Sequence, residues 1–559
     1  MQLNETCTID SDILHCYTYI PNRLPVGISE VVLHSLRDGT VLAEPVFDGP
    51  VWNNITSLTI DNSISRHHLT IKENSFVNLV RLECLSLHIL HTVFEYGAFN
   101  GLHNVTTLDM TNSTILNQNK MNDIILRPGT FPKLEKIVLI RIRFRLGMFL
   151  NETFWERIGA RPVSYIDISY AQAYVLDIKA LHKHCIRIRI FKARGLYIGQ
   201  LKGRFELLTD SYFNIEVLVL SECYFPMNIP CLVDSVHDVL KATLSHWASN
   251  AASNVRELYV DNVCGLIGKA SKHRYFKNVN NIQLSSSVPW NLKLLSLNGN
   301  SLTYFDVEFI VTYLTLETLL LAQNDMEYFN PDSLLTVTRL KHLDLSDNRL
   351  GLMSRHNGSI FQSALVHLPE LKNISLARNE LTFLPDHFFG KNDRLDIINL
   401  AGNSFNQAHF TVRNLLLLEV LNLSHNSIKA LDERSMNNLN SVLVFNKTEL
   451  HLKGNPISCN ACQDQDFIVW LEAHKHRISD WEHVVCKNRN DKRVSINETI
   501  ISDLSSICKR SITICIWATV CLSLLISIIT SAVVIVKRQK KNEHTKRRRQ
   551  LIQNIANQE

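Results

Sequence analysis

Seven times between Leu292 and Ile457 the chain repeats one eleven-residue phrase, apolar-x-x-apolar-x-apolar-x-x-Asn-x-apolar. It reads Leu292, Leu295, Leu297, Asn300, Leu302, then Leu316, Leu319, Leu321, Asn324, Met326, then Leu340, Leu343, Leu345, Asn348, Leu350, and it continues on Asn379, Asn403, Asn426 and Asn455. Successive asparagines stand 24, 24, 31, 24, 23 and 29 residues apart. Repetition at this period restricts the chain to stacked coils, because one coil of that length cannot bury its own apolar side.

The phrase specifies a leucine-rich-repeat solenoid of the α/β type. Leu343 and Leu345 point to one side of a short strand and Asp344 to the other, so one face is core and the other a concave, solvent-facing sheet. Asparagine suits the turn because its amide both donates and accepts, which satisfies loop backbone groups that stacking would bury. A ladder of asparagines is expected. The convex half of each repeat carries its own apolar pins, as in Leu384, Pro385 and Phe388 or Phe329, Pro331 and Leu334. The longer gap after Asn348, which includes the polar Arg355 to Ser359, reads as an insertion in a convex or flank loop.

Upstream the frame persists while losing most asparagines: Ile55, Leu58, Ile60; Leu82, Leu85, Leu87; Val105, Leu108, Met110; Leu134, Ile137, Leu139; Val163, Ile166, Ile168. It continues through Ile188 and Ile190, then Ile215, Leu218, Leu220 with Cys223 in the asparagine slot, then Val255, Leu258, Val260. The division expected is an N-terminal cysteine cap over 1–25, about 15–17 coils over 26–455, a C-terminal cysteine cap over 456–510, a membrane helix over 511–536 and a basic tail over 537–559.

An open solenoid needs both ends covered. Cys7 and Cys16 flank a hairpin-sized segment at the front, and Cys459, Cys462, Cys486 and Cys508 follow the last repeat with Phe467, Trp470 and Leu471. Cys459-x-x-Cys462 alone suggests zinc or a redox pair, but the second pair is 22 residues apart, so a disulfide-braced cap is the stronger reading and no metal is expected. Cys84, Cys185, Cys223, Cys231 and Cys264 cannot be paired from sequence. Ten Asn-x-Ser/Thr sequons, at Asn4, Asn54, Asn104, Asn112, Asn151, Asn357, Asn373, Asn422, Asn446 and Asn497, all precede residue 510, as expected of an extracellular or lumenal glycoprotein.

Ile512 to Val536 are 25 residues without a charge, enough to span a bilayer as a helix. Eight Lys/Arg between Lys537 and Arg549 follow, so the positive-inside rule places the C-terminus in the cytosol, giving a single-pass type I protein, with the plasma membrane favoured over endosomes. With its two glutamates that tail supplies +6, leaving 50 basic against 51 acidic residues in 1–536, so the net +5 indicates no nucleic-acid binding. The start, Met1-Gln2-Leu3-Asn4-Glu5, holds no apolar leader segment, which suggests an incomplete N-terminus.

Across essentially the whole chain this order resembles the Toll-like receptor family. The likeness rests on a degenerate solenoid sharpening toward its C-terminal end, a cap from Asn455-Pro456 to Cys508 containing Phe467-x-x-Trp470, and a membrane helix within four residues of Cys508. The resemblance implies pairing of Cys459 with Cys486 and of Cys462 with Cys508, recognition of microbial or endogenous ligands, and side-by-side dimerisation with another receptor chain. Two departures stand out. The cap opens Cys459-Asn-Ala-Cys462 where the family has Cys-x-Cys, and the family's cytosolic signalling domain is missing from this chain. The alternative reading is a leucine-rich-repeat adhesion or decoy glycoprotein.

Between Lys133 and Arg204 lie 15 Lys/Arg against 5 Asp/Glu. Lys136, Arg187 and Arg189 are expected on concave strand positions there, as a candidate site for an anionic ligand, with Arg141, Arg143 and Arg145 close behind. Asn373 and Asn422 also fall on concave positions, so sugars there would crowd the membrane-proximal half. The histidine pairs His67-His68, His182-x-His184 and His474-x-His476 read as exposed polar residues before they read as acid sensors. No phosphate loop, His-Glu-x-x-His or nucleophile-elbow motif occurs, so neither an enzyme nor a cofactor is expected.

Overall fold

The computed structural model describes residues 7–64, 67–115, 118–145, 147–203, 214–223, 255–262, 292–300, 302, 304–305, 315–444 and 448–556. A hairpin of Cys7–Asp10 and Ile13–Tyr17 opens a sheet with eighteen strands among the described residues, parallel from there on. Its strands follow in chain order: Glu30–His34, Ser57–Asn62, Cys84–Ile89, Thr107–Asp109, Lys136–Val138, Tyr165–Asp167, Ile190–Lys192, Val217–Val219, Glu257–Tyr259 and Leu294–Ser296. Thr318–Leu320, His342–Asp344, Asn373–Ser375, Ile397–Asn399, Val420–Asn422 and Glu449–His451 complete it. The coil on Glu30–His34, with Ile28, Val31 and Leu33 buried, precedes the first one that the pattern picks out.

The asparagines line up. Asn324 Oδ1 accepts the backbone N–H of Asn300 at 2.8 Å, and its Nδ2 donates to the Leu297 and Leu321 carbonyls at 3.1 and 2.9 Å. Asn348, Asn379, Asn403, Asn426 and Asn455 repeat the arrangement, each donating to a carbonyl of the preceding coil. Other residues take the role upstream. Asn62 Oδ1 accepts from Leu36 N at 2.8 Å, Ser113 Oγ accepts from Ile89 N at 3.0 Å, and the Cys223 thiol, in the expected slot, donates to Ala193 O at 2.9 Å.

Behind the sheet the core is apolar and aromatic. Phe47, Phe76, Phe99 and Phe131 form a file with ring centroids 5.7, 5.8 and 5.5 Å apart, one ring per coil. Each ring is essentially fully buried, and removing one from such a file costs about 3–5 kcal/mol. The insertion after Asn348 folds as two short helices, Gly351–His356 and Gly358–Gln362.

One register differs from expectation. The frame at Ile188 continues on Phe191 and Ala193, both fully buried, rather than on Ile190. Ile190 pairs with Tyr165 and faces the concave side, because Phe191 and Ala193 satisfy the apolar-x-x-apolar-x-apolar spacing where Ile190 does not.

Disulfides join Cys7 to Cys16, Cys459 to Cys486 and Cys462 to Cys508. The C-terminal cap buries Phe467, Ile468 and Leu471 of the helix Gln465–Ala473, and Trp470 Nε1 donates to Asn440 Oδ1 at 2.7 Å. A continuous helix, Glu498–Ala556, starts inside this cap with Leu504 and Cys508 buried, and by length and composition it can cross a membrane.

Candidate functional site

The residue just before each of the seven repeat asparagines has left-handed backbone geometry, and most upstream coils share it. Arg141 (φ 54°), Tyr170 (φ 58°), Glu222 (φ 59°), Asn262 (φ 52°), Gln323 (φ 56°) and Arg378 (φ 51°) share it. These turns set a row of side chains along the edge of the concave face. Where the rung is glycine, the preceding rung lies across it. A Cβ on Gly195 would stand 2.4 Å from Tyr170 Cδ1, and one on Gly402 would stand 2.6 Å from Arg378 Cγ. Gly195 (φ 63°) is therefore what lets the Tyr170 ring lie along this edge.

On the neighbouring strands two tyrosines each collect two cations. The Lys136 and Lys192 ammonium groups lie 4.9 and 5.4 Å from the centroid of Tyr165, approaching from strands on either side of it. Arg141 and Arg194 lie 5.2 and 6.0 Å from the centroid of Tyr170. Ring faces are negative, so each tyrosine holds cations that would otherwise repel one another. Glu222 accepts from Arg194 Nη2 at 2.6 Å and raises that guanidinium above its ordinary value.

Tyr170, Lys192 and Arg194 form one wall of a hollow of about 570 Å³ on the same face. Tyr259, Asp261 and Ser221 stand opposite. Asp261 is fixed by the Ser221 hydroxyl at 3.2 Å and by the Asn298 N–H at 2.7 Å. Burial, with Glu257 next to it, pushes the Tyr259 phenol up to about 12, so it stays neutral.

Of the cations singled out from sequence, Lys136 sits on the concave strand, and Arg187 and Arg189 do not. Both come before the strand Ile190–Lys192, and Arg189 is tied to Glu216 at 2.8 Å. The one-residue register difference accounts for this. The sequence reading does not single out Lys192, Tyr165 or Tyr170: Lys192 follows from the alternation read from Phe191, Tyr165 stands just before Ile166 in a frame placed correctly, and Tyr170 lies in the turn that follows it. Arg143 lies on a short outer strand with Phe144. Asn373 and Asn422 occupy half-buried concave positions. Asn54, Asn104, Asn112, Asn151, Asn357 and Asn497 are exposed or half-exposed, while Asn4, Asn446, Cys231 and Cys264 lie outside the described residues.

No protein-family model matches the chain, and no curated protein sequence matches it. Among solved structures it is similar to Toll in the Toll–Spatzle complex of Drosophila, at 16% identity and TM-score 0.46, over 88% of this chain and 71% of that one. It is also similar to the TLR13–ssRNA13 complex, at 16% identity and TM-score 0.44, over 81% and 68%. A third is human 5T4 (trophoblast glycoprotein), at 20% identity and TM-score 0.34, over 44% and 85%. The parallel sheet and the asparagine ladder, rather than these distant likenesses, establish the architecture: a leucine-rich-repeat solenoid closed by disulfide caps and followed by a helix able to span a membrane.

Proposed function

We propose that this chain is the ligand-capturing part of a Toll-like pattern-recognition receptor, holding a microbial or endogenous anionic ligand on its concave face and pairing with a second receptor chain. The observation that carries the reading is the set of four cations on Tyr165 and Tyr170. Solvent-facing cations held on ring faces pre-organise a positive surface at little further entropic cost, which favours an extended anionic partner. In this reading residues 1–25 and 456–510 cap the repeats of 26–455, residues 511–536 cross the bilayer and residues 537–559 are cytosolic. Sugars on the sequons shield the remaining outer surface and, at Asn373 and Asn422, the membrane-proximal concave half. Ligand capture then falls to the sector around Lys136.

The test uses the full chain on cells, with complementary luciferase fragments fused after Glu559, exposed to microbial and host-cell extracts. Luminescence that rises on exposure, weakens with salt and is lost in Lys136→Glu/Lys192→Glu supports the proposal. An identical response from the double variant, or no response to any extract, contradicts it. Arg187→Glu/Arg189→Glu serves as the companion variant and is expected to change the response less.

A further inference from the structure

The short strands on the outer side of the coils do not join into one sheet. Thr40–Leu42, His68–Ile71 and His91–Phe94 pair in parallel, and the sheet then stops. Thr114–Ile115 begins a separate pairing with Arg143–Phe144. At the break a hollow of about 230 Å³ opens between successive coils.

Its walls are Leu90, Phe94 and Ile115, and Val93, 58% exposed, stands at the mouth. Its rim is Arg145, Lys120, His91 and His68. Every ionisable group that lines it is a cation or an imidazole, and no carboxylate does. His68 is itself engaged by Asp38 at 3.2 Å. Arg145 makes no ion pair among the described residues, although its backbone is anchored to Ile115 O at 3.2 Å. An unpaired guanidinium at the edge of an apolar hollow is half of an ion pair.

The flat groups narrow the ligand class. The His68 and His91 rings sit 5.4 Å apart, tilted by 34°, and Phe94, whose ring packs 5.5 Å from that of Phe99, backs the hollow. Aromatic rings pack on one another in offset or edge-on geometry, and a guanidinium can both stack on a ring and pair with an anion. The volume lies below the roughly 300–1,000 Å³ of sites that take drug-sized ligands. It therefore suits one compact ring system and excludes a multi-chain lipid.

We propose that this hollow is a binding site for a small aromatic anion, one or two fused rings bearing a single carboxylate or phosphate. The ring fills the space between Leu90, Phe94 and Ile115, and the anionic group meets Arg145 at the rim. The site lies on the outer strands, away from the concave tyrosines, so its test is independent of the receptor reading.

The full chain in lipid nanodiscs is photolabelled with an azidonaphthalene carboxylate, and the label is mapped by peptide mass spectrometry. The expected label falls on peptides containing Leu90–Phe94 and Thr114–Ile115. Naphthalene-2-carboxylate or 2-naphthyl phosphate should displace it about tenfold better than neutral naphthalene-2-methanol, and the better of the two anions identifies the head group. Arg145→Glu is expected to cut labelling by the carboxylate about tenfold, and Val93→Trp, at an exposed position that tolerates a larger side chain, to abolish it. Label confined to peptides of the C-terminal helix, equal displacement by the neutral alcohol, or undiminished labelling of Arg145→Glu would overturn the proposal.

Discussion

Asn403 Oδ1 accepts the backbone N–H of Asn379 at 2.9 Å, while its Nδ2 donates to the Leu376 and Leu400 carbonyls at 2.9 and 3.0 Å. One side chain thus serves two successive coils from a buried position. Asn403→Ala leaves those groups without partners, and a buried group stripped of its hydrogen bond costs about 1–3 kcal/mol. Thermal unfolding of the variant should show that loss, whereas Asn399→Ala, on the half-exposed strand face, should lie much closer to the parent.

Arg161 is a buried guanidinium without a carboxylate. Its Nε donates to Thr130 O at 3.1 Å and its Nη2 to Arg127 O at 2.7 Å, and Nη1 bonds Arg157 O. Burial pulls its pKa down to about 10, so it remains charged at neutral pH. Arg161→Met strips several carbonyls at once and is expected to destabilise by about 3 kcal/mol, measured by denaturant unfolding. Arg157→Met, on the helix Glu152–Gly159 that precedes it, serves as the control.

The phrase that marks the repeats could be read because apolar side chains at fixed spacing must face one core. It weakens upstream because Ser113 and Cys223 fill the turn by different chemistry, and because Asn62 stands one residue before the slot that the phrase assigns to asparagine. The strand at Ile190 was misplaced by one residue because isoleucine looks like core while Phe191 and Ala193 occupy the slots. The concave tyrosines are not legible for a different reason: their frame at Val163, Ile166 and Ile168 is correct, but the tyrosine–cation contacts run between strands 25–30 residues apart in sequence, which no local pattern marks. Pairing of the cap cysteines followed from family likeness alone, since spacing leaves several connectivities open.

Gly195 should be sensitive to a single methyl group. Gly195→Ala forces a side chain onto a left-handed backbone and into the Tyr170 ring, whose Cδ1 and Cε1 would lie 2.4 and 2.6 Å from the new Cβ. The expected result is displacement of Tyr170 with the fold retained. Tyrosine-selective iodination of Tyr170, mapped by mass spectrometry, should rise in the variant. An unchanged extent would show that the ring does not rest on Gly195.

The N-terminal coils carry a pH dependence of predictable sign. The Asp109 carboxylate, 3.8 Å from His88 Nε2, raises the histidine above its ordinary 6.5, against the opposing effect of burial. Burial acts to raise Asp109, but His88 and Thr111 more than offset it, so Asp109 ends below its ordinary 3.8. A raised histidine stabilises the fold below its unfolded value, and that contribution is lost as pH climbs through the folded value. Asp109 contributes above its unfolded value and loses its effect as pH drops through its lower folded value. Stability of these coils should therefore decline on going from about pH 6 to about pH 8, and His88→Asn should flatten the change. Thermal unfolding across that range checks it.

Thiol reactivity should divide the free cysteines. Burial pushes the Cys185 and Cys223 thiols up to about 12, and both donate to backbone carbonyls, at 3.3 and 2.9 Å. The thiolate is the reactive form, so neither should alkylate in the native chain near neutral pH. Cys84 is half-exposed on its strand and should label before either of them. Timed iodoacetamide treatment with peptide mapping distinguishes them.

Hydrogen exchange at the turn amides tests the stacked-coil account most directly. The N–H groups of Leu302, Met326, Leu381, Phe405 and Ile428 lie outside the strands, yet each donates to a ladder asparagine of the next coil, at 3.0 to 3.1 Å. The account predicts that they exchange as slowly as the strand amides of Leu343 and Ile398 and that Asn403→Ala releases Leu381 together with Asn379, leaving the other turns protected. Turn amides exchanging at the rate of an unstructured peptide while the strands stay protected would contradict it.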